Sequence, residues 1–259
     1  MAQNIPVVIL CGGMGTRLRE ETEYKPKPMV EIGGKPIIWH IMKIYAHYGF
    51  NDFILCLGYK GSVIKEYFFN YDMMCNDCTV QLGQESRIAF QNNHPEQNFK
   101  VTLVDTGLHT MTGGRIKRIQ QYINTDTFMV TYGDGLADIN LDKLINFHHL
   151  HNKIATLAAT RPPSRFGILD LGDNGKVNRF REKVGTEWIN GGFFVFDRKV
   201  FDYLEKDSTL EQAPLEKMAE GGQLMAYRHE GFWIGMDTYR EYEMLNQMWE
   251  SEKAPWKVW

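Results

Sequence analysis

The chain has 259 residues, 43% of them apolar and 13% aromatic, enough to bury a substantial core and too many for a disordered protein. Its 29 basic and 32 acidic residues give a net charge of −3, so no overall field would draw it to nucleic acid or to an anionic membrane. No apolar run reaches the roughly 20 residues of a membrane span, and the first run lacks the features of a signal peptide, so a cytoplasmic protein is expected.

Strand-like and helix-like patterns alternate over the first two thirds of the sequence. Continuous apolar runs predict buried strands, and apolar residues at helical spacing between them predict helices. Elements that alternate in this way form a mainly parallel sheet. The predicted strands are residues 7–11, 53–57, 101–104 and 128–132, and the predicted helices are residues 36–48, 62–70, 114–123 and 141–151.

The pattern changes after residue 155, where strands follow one another more closely. We predict one α/β domain, Rossmann-like, with a mixed, mostly parallel central sheet and a small antiparallel portion. Residues 71–98 are polar and show no periodicity, so no fold is predicted for them. The later elements are strands at 155–160, 191–196 and 224–229, a hairpin of 167–171 with 176–181, and a helix at 238–252.

A glycine-rich turn follows the first predicted strand. Glycines let backbone N–H groups approach phosphate oxygens, and the start of a helix adds a favourable dipole. A dinucleotide-binding GxGxxG motif would need a glycine where Leu18 stands, which disfavours an NAD-binding oxidoreductase, and no Walker A lysine follows. The turn therefore predicts an anion cradle of another kind. It comprises Leu10, Cys11, Gly12, Gly13, Met14, Gly15, Thr16 and Arg17.

Three cations lie in or near this turn. Arg17 offers a planar guanidinium that matches phosphate oxygens. Lys25 and Lys27 alternate with Pro26 and Pro28, which stiffen the segment. Together with the glycine turn they predict triphosphate binding, whereas in isolation the same segment would be a solvated basic turn.

Two aspartates predict a metal site. Asp134 lies between two glycines directly after the strand at 128–132, and open parallel sheets bind ligands at this end of their strands. A carboxylate there has room for a hydrated Mg²⁺ ion. Asp237 is the best candidate for a second carboxylate, although its position before the last predicted helix is equally typical of an N-cap.

Other reactive side chains favour structural roles. Cys75 and Cys78 form an isolated CxxC pair without the further ligands of a zinc site, so an ordinary loop pair is expected. The histidines of the predicted helix 141–151 are expected on a surface face. The aromatic tail, residues 254–259, is expected to dock on a neighbouring subunit.

In combination, these motifs resemble the sugar-1-phosphate nucleotidyltransferases over almost the whole chain. The resemblance rests on LCGGMGTRL, KPKPMVEIGGKPI, YGDG, Glu182-Lys183 before INGG, and MDT. RLREET, MTGGR and the closing APWK are most similar to the members that use CTP and glucose 1-phosphate. The chain differs from the family pattern at Cys11, usually alanine, and at Val184, usually proline.

The resemblance implies cytidylyl transfer from CTP to glucose 1-phosphate, with Mg²⁺ as cofactor and CDP-glucose and pyrophosphate as products. It also implies a homo-oligomer, specifically a hexamer. Residues 1–259 would form one domain, with residues 1–150 mainly binding nucleotide and 151–259 mainly binding sugar phosphate. Two alternatives stay open: another nucleotide and hexose 1-phosphate pair, or a noncatalytic nucleotide-sugar-binding subunit on the same fold.

The resemblance also implies roles for single residues. Arg17, Lys27 and Asp134 would act in catalysis, and Asp134 and Asp237 would hold the metal. The nucleotide would contact the glycine turn from Leu10 to Arg17, together with Lys27, Thr110 and Arg115. The sugar phosphate would contact Glu182, Lys183 and Asn190.

Overall fold

A computed structural model describes residues 5–83, 87–161, 167–182 and 187–259. The strands of the described chain are β1 (Val7–Cys11), β2 (Glu31–Ile32), β3 (Lys35–Pro36), β4 (Asp52–Leu57), β5 (Cys78–Gln81), β6 (Arg87–Phe90), β7 (Lys100–Asp105), β8 (Thr127–Tyr132), β9 (Gly135–Ala137), β10 (Ala155–Thr160), β11 (Gly167–Leu171), β12 (Val177–Glu182), β13 (Ile189–Asp197), β14 (Leu224–Arg228) and β15 (Trp233–Gly235). The helices are α1 (Arg19–Thr22), α2 (Ile37–His47), α3 (Gly61–Phe69), α4 (Tyr71–Cys75), α5 (Thr112–Arg118), α6 (Leu141–His151), α7 (Ala213–Glu220) and α8 (Tyr239–Glu250).

Seven strands form the central sheet, in the order β14-β10-β13-β8-β1-β4-β7. Strand β13 runs antiparallel to both β8 and β10, and the other neighbouring strands are parallel. All five residues of β1 are buried, as expected for a parallel strand covered on both faces. The predicted mixed, mostly parallel sheet is confirmed, and β11 and β12 form the predicted antiparallel hairpin.

Helices cover both faces of the sheet and create two apolar layers. On one face, α2 and α6 pack with Leu245 of α8 and with Trp256 of the tail. On the other face, α5 and α7 pack with Val200 and Phe201. Within the described residues, no helix is long and apolar enough to cross a membrane.

The C-terminal tail differs from the expectation. Trp256 is fully buried within its own chain, where its ring stacks on Phe232 and Trp249 and its Nε1 donates to His40 at 3.4 Å. The predicted docking of this tryptophan on another subunit is therefore wrong. Composition alone could not distinguish an aromatic tail that covers its own core from one that covers a neighbour.

The histidine face of α6 is also less exposed than predicted. His148 is buried, and both His148 and His151 contact the hydroxyl of Thr156, at 2.9 and 2.7 Å. Among the described residues, no group of three or more histidine, cysteine or acidic side chains is arranged to hold a metal ion. These histidines connect α6 to β10.

Residues 71–98, for which no fold was predicted, contain α4 and the β5–β6 hairpin. Every residue of both hairpin strands is exposed. Since neither face of the hairpin packs on the core, its sequence has no alternation of apolar and polar residues to reveal it.

Candidate active site

The loops that follow the parallel strands meet at one edge of the sheet. The turn after β1, the Gly133-Asp134 turn after β8 and the start of β13 line one cavity of about 530 Å³. A larger cavity of about 730 Å³ lies elsewhere, beside α3 and β7. The lining residues distinguish the two cavities, because only the smaller one is lined by the glycine turn and by the predicted cations and carboxylates.

The glycine turn is shaped by close contacts that exclude side chains. A Cβ on Gly12 would lie 2.0 Å from Cζ of Arg115, and Gly15 has φ +63° and would place a Cβ 2.9 Å from Thr22. Leu18 N–H donates to the carbonyl of Gly15 at 3.0 Å, which starts a short 3₁₀ turn. Gly13 and Thr16 remain exposed to the cavity. The turn thus presents backbone atoms rather than side chains to a ligand.

Arg115 lies behind this turn and is buried. Its guanidinium donates to the carbonyls of Gly12 at 3.1 Å, Leu57 at 3.0 Å and Gly107 at 2.8 Å, and to the hydroxyl of Thr106 at 2.7 Å. One side chain therefore holds together the loops that follow three parallel strands. Its predicted contact with the nucleotide stays a prediction.

Lys27 stands at the centre of the predicted charged group. Its Nζ lies 2.7 Å from Oδ2 of Asp134 and 2.7 Å from Oδ1 of Asp237. Arg17 completes the group with Nη1 3.2 Å from Oδ2 of Asp237, although the Arg17 side chain is 74% exposed. The structure thus brings together four residues that are up to 220 positions apart in the sequence.

A short ladder places the two aspartates side by side. Strands β9 and β15 pair antiparallel with Gly135 opposite Gly235, so Asp134 precedes one strand and Asp237 follows the other. A Cβ on Gly133 would lie 2.9 Å from the Leu10 carbonyl, so glycine is needed where the turn after β8 crosses β1.

The N-cap of α8 is Thr238, which forms a reciprocal capping box with Glu241. The Glu241 carboxylate also accepts the backbone N–H of Asp237 at 2.7 Å. The Asp237 side chain points instead to Lys27 and Arg17. The capping alternative for Asp237 therefore does not apply.

The charges around Lys27 outweigh its burial. Burial would lower the pKa of the Lys27 ammonium, but the charges and hydrogen bonds of Asp134 and Asp237 raise it above its ordinary value. The two carboxylates converge on one cation, which is the arrangement that a hard divalent ion also needs. Asp134 and Asp237 therefore present oxygen atoms of the kind that a divalent cation would need.

Lys25 has a different position from Lys27. Its Nζ lies 3.8 Å from Glu21 and 3.9 Å from Glu31, and it does not line the cavity. Within the described residues, only Lys27 of the predicted lysine pair faces the glycine turn and the aspartates.

Asn190, near the start of β13, and Thr110 both line the cavity. Asn190 Nδ2 donates to the hydroxyl of Tyr132 at 3.2 Å, and its Oδ1 accepts the N–H of Gly192 at 2.8 Å. Of the other residues predicted to contact sugar phosphate, Lys183 and the side chain of Glu182 lie outside the described residues.

Two residues linked to Asn190 by hydrogen bonds were not predicted from the sequence. The Tyr132 hydroxyl donates to Glu211, which is 79 positions away, and Glu211 also accepts from the hydroxyl of Thr112 at 2.6 Å. In the sequence, Tyr132 stands out only as part of YGDG. No local signal marks Glu211, because its partners come from distant elements.

Residues 6–238 match the family model described as Nucleotidyl transferase. The chain is 53% identical to the glucose-1-phosphate cytidylyltransferase of Salmonella typhi, over 97% of this chain and 98% of the relative. It is 48% identical to the probable glucose-1-phosphate cytidylyltransferase of Bacillus subtilis, over 97% and 99%. The crystal structure of HddC from Yersinia pseudotuberculosis superposes with a TM-score of 0.70 at 26% identity, covering 95% of this chain and 99% of that one.

Proposed function

This chain belongs to the nucleotidyl transferase family, and within it we propose that it transfers a cytidylyl group from CTP to α-D-glucose 1-phosphate, releasing CDP-glucose and pyrophosphate. The observation that carries the proposal is the convergence of Lys27 on Asp134 and Asp237 at 2.7 Å, beside a glycine turn. This combination supports chemistry between two phosphate anions. The choice of cytidine and glucose is supported by the 53% and 48% identical relatives named above.

The nucleotide side of the site is the glycine turn and the loops behind it. Backbone from Leu10 to Arg17 would surround the triphosphate, and Lys27 would contact its phosphates. Thr110 would face the cytidine. Arg115 would support this side indirectly, since its guanidinium fixes the carbonyls of the loops that form the wall.

Asp134 and Asp237 would hold Mg²⁺. When bound, the metal would neutralise charge on the triphosphate and on the leaving pyrophosphate. Arg17 and Lys27 would add positive charge that reduces the repulsion between the two anionic substrates. Asn190, Glu182 and Lys183 would bind the sugar phosphate.

No residue is needed as a general base in this reaction. A sugar phosphate is already ionised at neutral pH, so its oxygen can attack the α-phosphorus directly while pyrophosphate departs in line. The protein then accelerates the reaction by holding both substrates in position and by stabilising developing charge. This explains why a site of cations, carboxylates and backbone suffices.

We propose that the protein acts as a homo-oligomer in the cytoplasm, with a hexamer implied by the family resemblance. The β5–β6 hairpin carries the exposed side chains of Val80, Ile88 and Phe90. Leu82, which directly follows β5, is 86% exposed. An isolated two-stranded hairpin is only marginally stable in water, and a second copy would cover these side chains. Light scattering after gel filtration tests this proposal, and a monomer would contradict it.

Pyrophosphate release by the purified protein tests the proposed reaction. Each of the four nucleoside triphosphates is combined with each common hexose 1-phosphate in the presence of Mg²⁺. CTP with glucose 1-phosphate is expected to give the highest kcat/KM. A different preferred pair would reassign the substrates, whereas binding of CTP without turnover of any pair would favour the noncatalytic alternative.

A further inference from the structure

Asn190 is held in one orientation by two hydrogen bonds. The backbone N–H of Gly192 can only donate, so the atom that it contacts at 2.8 Å must be the amide oxygen of Asn190. The amide nitrogen must then face the Tyr132 hydroxyl, 3.2 Å away. One Nδ2 proton is used there, and among the described residues no partner takes the other. The second proton is available to the cavity that Asn190 lines.

The second of these hydrogen bonds depends on which way the Tyr132 hydroxyl donates its single proton. Tyr132 donates to a carboxylate oxygen of Glu211, which accepts and cannot donate while ionised. The Tyr132 oxygen therefore turns a lone pair toward Asn190. Without Glu211, the tyrosine could turn its proton toward the amide nitrogen of Asn190, which cannot accept it, and only the contact with Gly192 would then hold the amide in place.

The Tyr132 ring is also fixed by packing. A Cβ on Gly192 would lie 2.4 Å from Cδ2 of this ring, so the ring rests directly on the glycine backbone. Phe194 packs against it edge-on, with ring centroids 5.9 Å apart. These two contacts therefore fix the position of the Tyr132 hydroxyl.

Glu211 is itself held by the first residue of α5. Its second carboxylate oxygen accepts from the Thr112 hydroxyl at 2.6 Å, and Thr112 in turn accepts the Leu210 N–H at 2.9 Å. Thr112 begins α5, the helix that contains Arg115. One carboxylate oxygen of Glu211 thus contacts Tyr132, and the other contacts the first residue of α5.

We propose that Glu211 and Tyr132 are positioning residues that orient the Asn190 amide, so that its free N–H donates to an acceptor oxygen of the sugar 1-phosphate. This inference rests on the proposed function. It predicts that the chain of hydrogen bonds from Glu211 to Asn190 controls recognition of the sugar substrate rather than of CTP.

The test is steady-state kinetics of Tyr132→Phe, with the KM of each substrate measured separately. Loss of one oriented hydrogen bond is expected to raise the KM for glucose 1-phosphate about tenfold, with the KM for CTP and kcat within about twofold. In an Asn190→Ala background, Tyr132→Phe is expected to have no further effect. Tyr122→Phe, at an exposed tyrosine outside the cavity, is the matched control.

Glu211 provides a separate check through a conservative replacement. Glu211→Ala is expected to raise the KM for glucose 1-phosphate, and Glu211→Gln to restore most of the loss, because its amide oxygen can still accept from Tyr132. A merely structural role would instead lower the thermal midpoint and kcat without separating the two KM values.

The outcomes separate this inference from the proposed function. A wild-type protein that makes no CDP-glucose contradicts the proposed function. An active wild type whose Tyr132→Phe variant keeps its KM for glucose 1-phosphate, or raises both KM values equally, overturns the inference alone. So does a Tyr132→Phe effect that persists when Asn190 is alanine.

Discussion

His40 should make the fold sensitive to mild acid. The residue lies fully buried in α2, surrounded by Trp39 and the tryptophans of residues 249–259. Its Nε2 lies 2.9 Å from the Ile32 carbonyl, and Nδ1 accepts from Trp256, so only the neutral ring satisfies both contacts. Burial lowers the pKa of His40 from 6.5 to about 4.

Acid lowers the stability of the protein because, as the pH falls, His40 takes up a proton in the unfolded chain before it does so in the folded protein. The unfolded chain takes up a proton near pH 6.5, whereas the folded protein resists protonation of His40 until about pH 4. Stability is therefore complete above pH 6.5 and decreases as the pH falls toward 4. Each pH unit in this window costs about 1.4 kcal/mol, so the loss attributable to His40 at pH 5 is about 2 kcal/mol.

Urea unfolding at pH 8 and pH 5 measures this contribution. The wild type is compared with His40→Gln, which keeps polar atoms at this position but does not titrate there. The free energy of unfolding should fall between these pH values by about 2 kcal/mol more in the wild type than in the variant. His148, whose pKa is also lowered to about 4, is present in both proteins and cancels. Equal losses in the two proteins would refute the reasoning.

Three further outcomes are expected. Lys27→Ala should reduce kcat/KM by roughly 10² to 10³, as for loss of one preorganised charge-stabilising group. The control variant Lys25→Ala should keep a kcat/KM close to that of the wild type. Similar rates for the two variants would remove Lys27 from the mechanism. EDTA should stop turnover, and excess Mg²⁺ should restore it. The Asp134→Asn variant should need a higher Mg²⁺ concentration than the wild type to reach its half-maximal rate. Turnover that EDTA does not change would exclude the metal role. Trp256→Ala should destabilise the protein by about 3–5 kcal/mol in the same urea experiment, and a change below about 1 kcal/mol would contradict its place in the core.

The sheet could be predicted because its strands are simple in physical terms. Strands buried on both faces, such as β1 and residues 53–57 of β4, are continuously apolar, and this pattern is visible without a structure. The charged group could also be predicted from the sequence, since Asp134 follows a buried strand and such residues gather at one edge of a parallel sheet. Their convergence on one lysine Nζ, however, is a distance that only the fold provides.

The contacts that could not be predicted join residues distant in the sequence without a local pattern. Glu211 reaches Tyr132 through side chains alone, and Trp256 reaches His40 across 216 positions. The exposed β5–β6 hairpin escaped detection for the opposite reason, because it has no buried face. Patterns of burial predict elements, but they do not predict which distant polar groups meet.

The fate of the phosphorus atoms of CTP tests the central claim most directly. Wild-type protein is incubated with glucose 1-phosphate and Mg²⁺, and with CTP labelled at either the α- or the γ-phosphate. The label at the α-phosphate should appear in CDP-glucose, and the label at the γ-phosphate should appear only in pyrophosphate. No labelled nucleotide sugar, or transfer of the γ-phosphate to the sugar, would contradict cytidylyl transfer at this site.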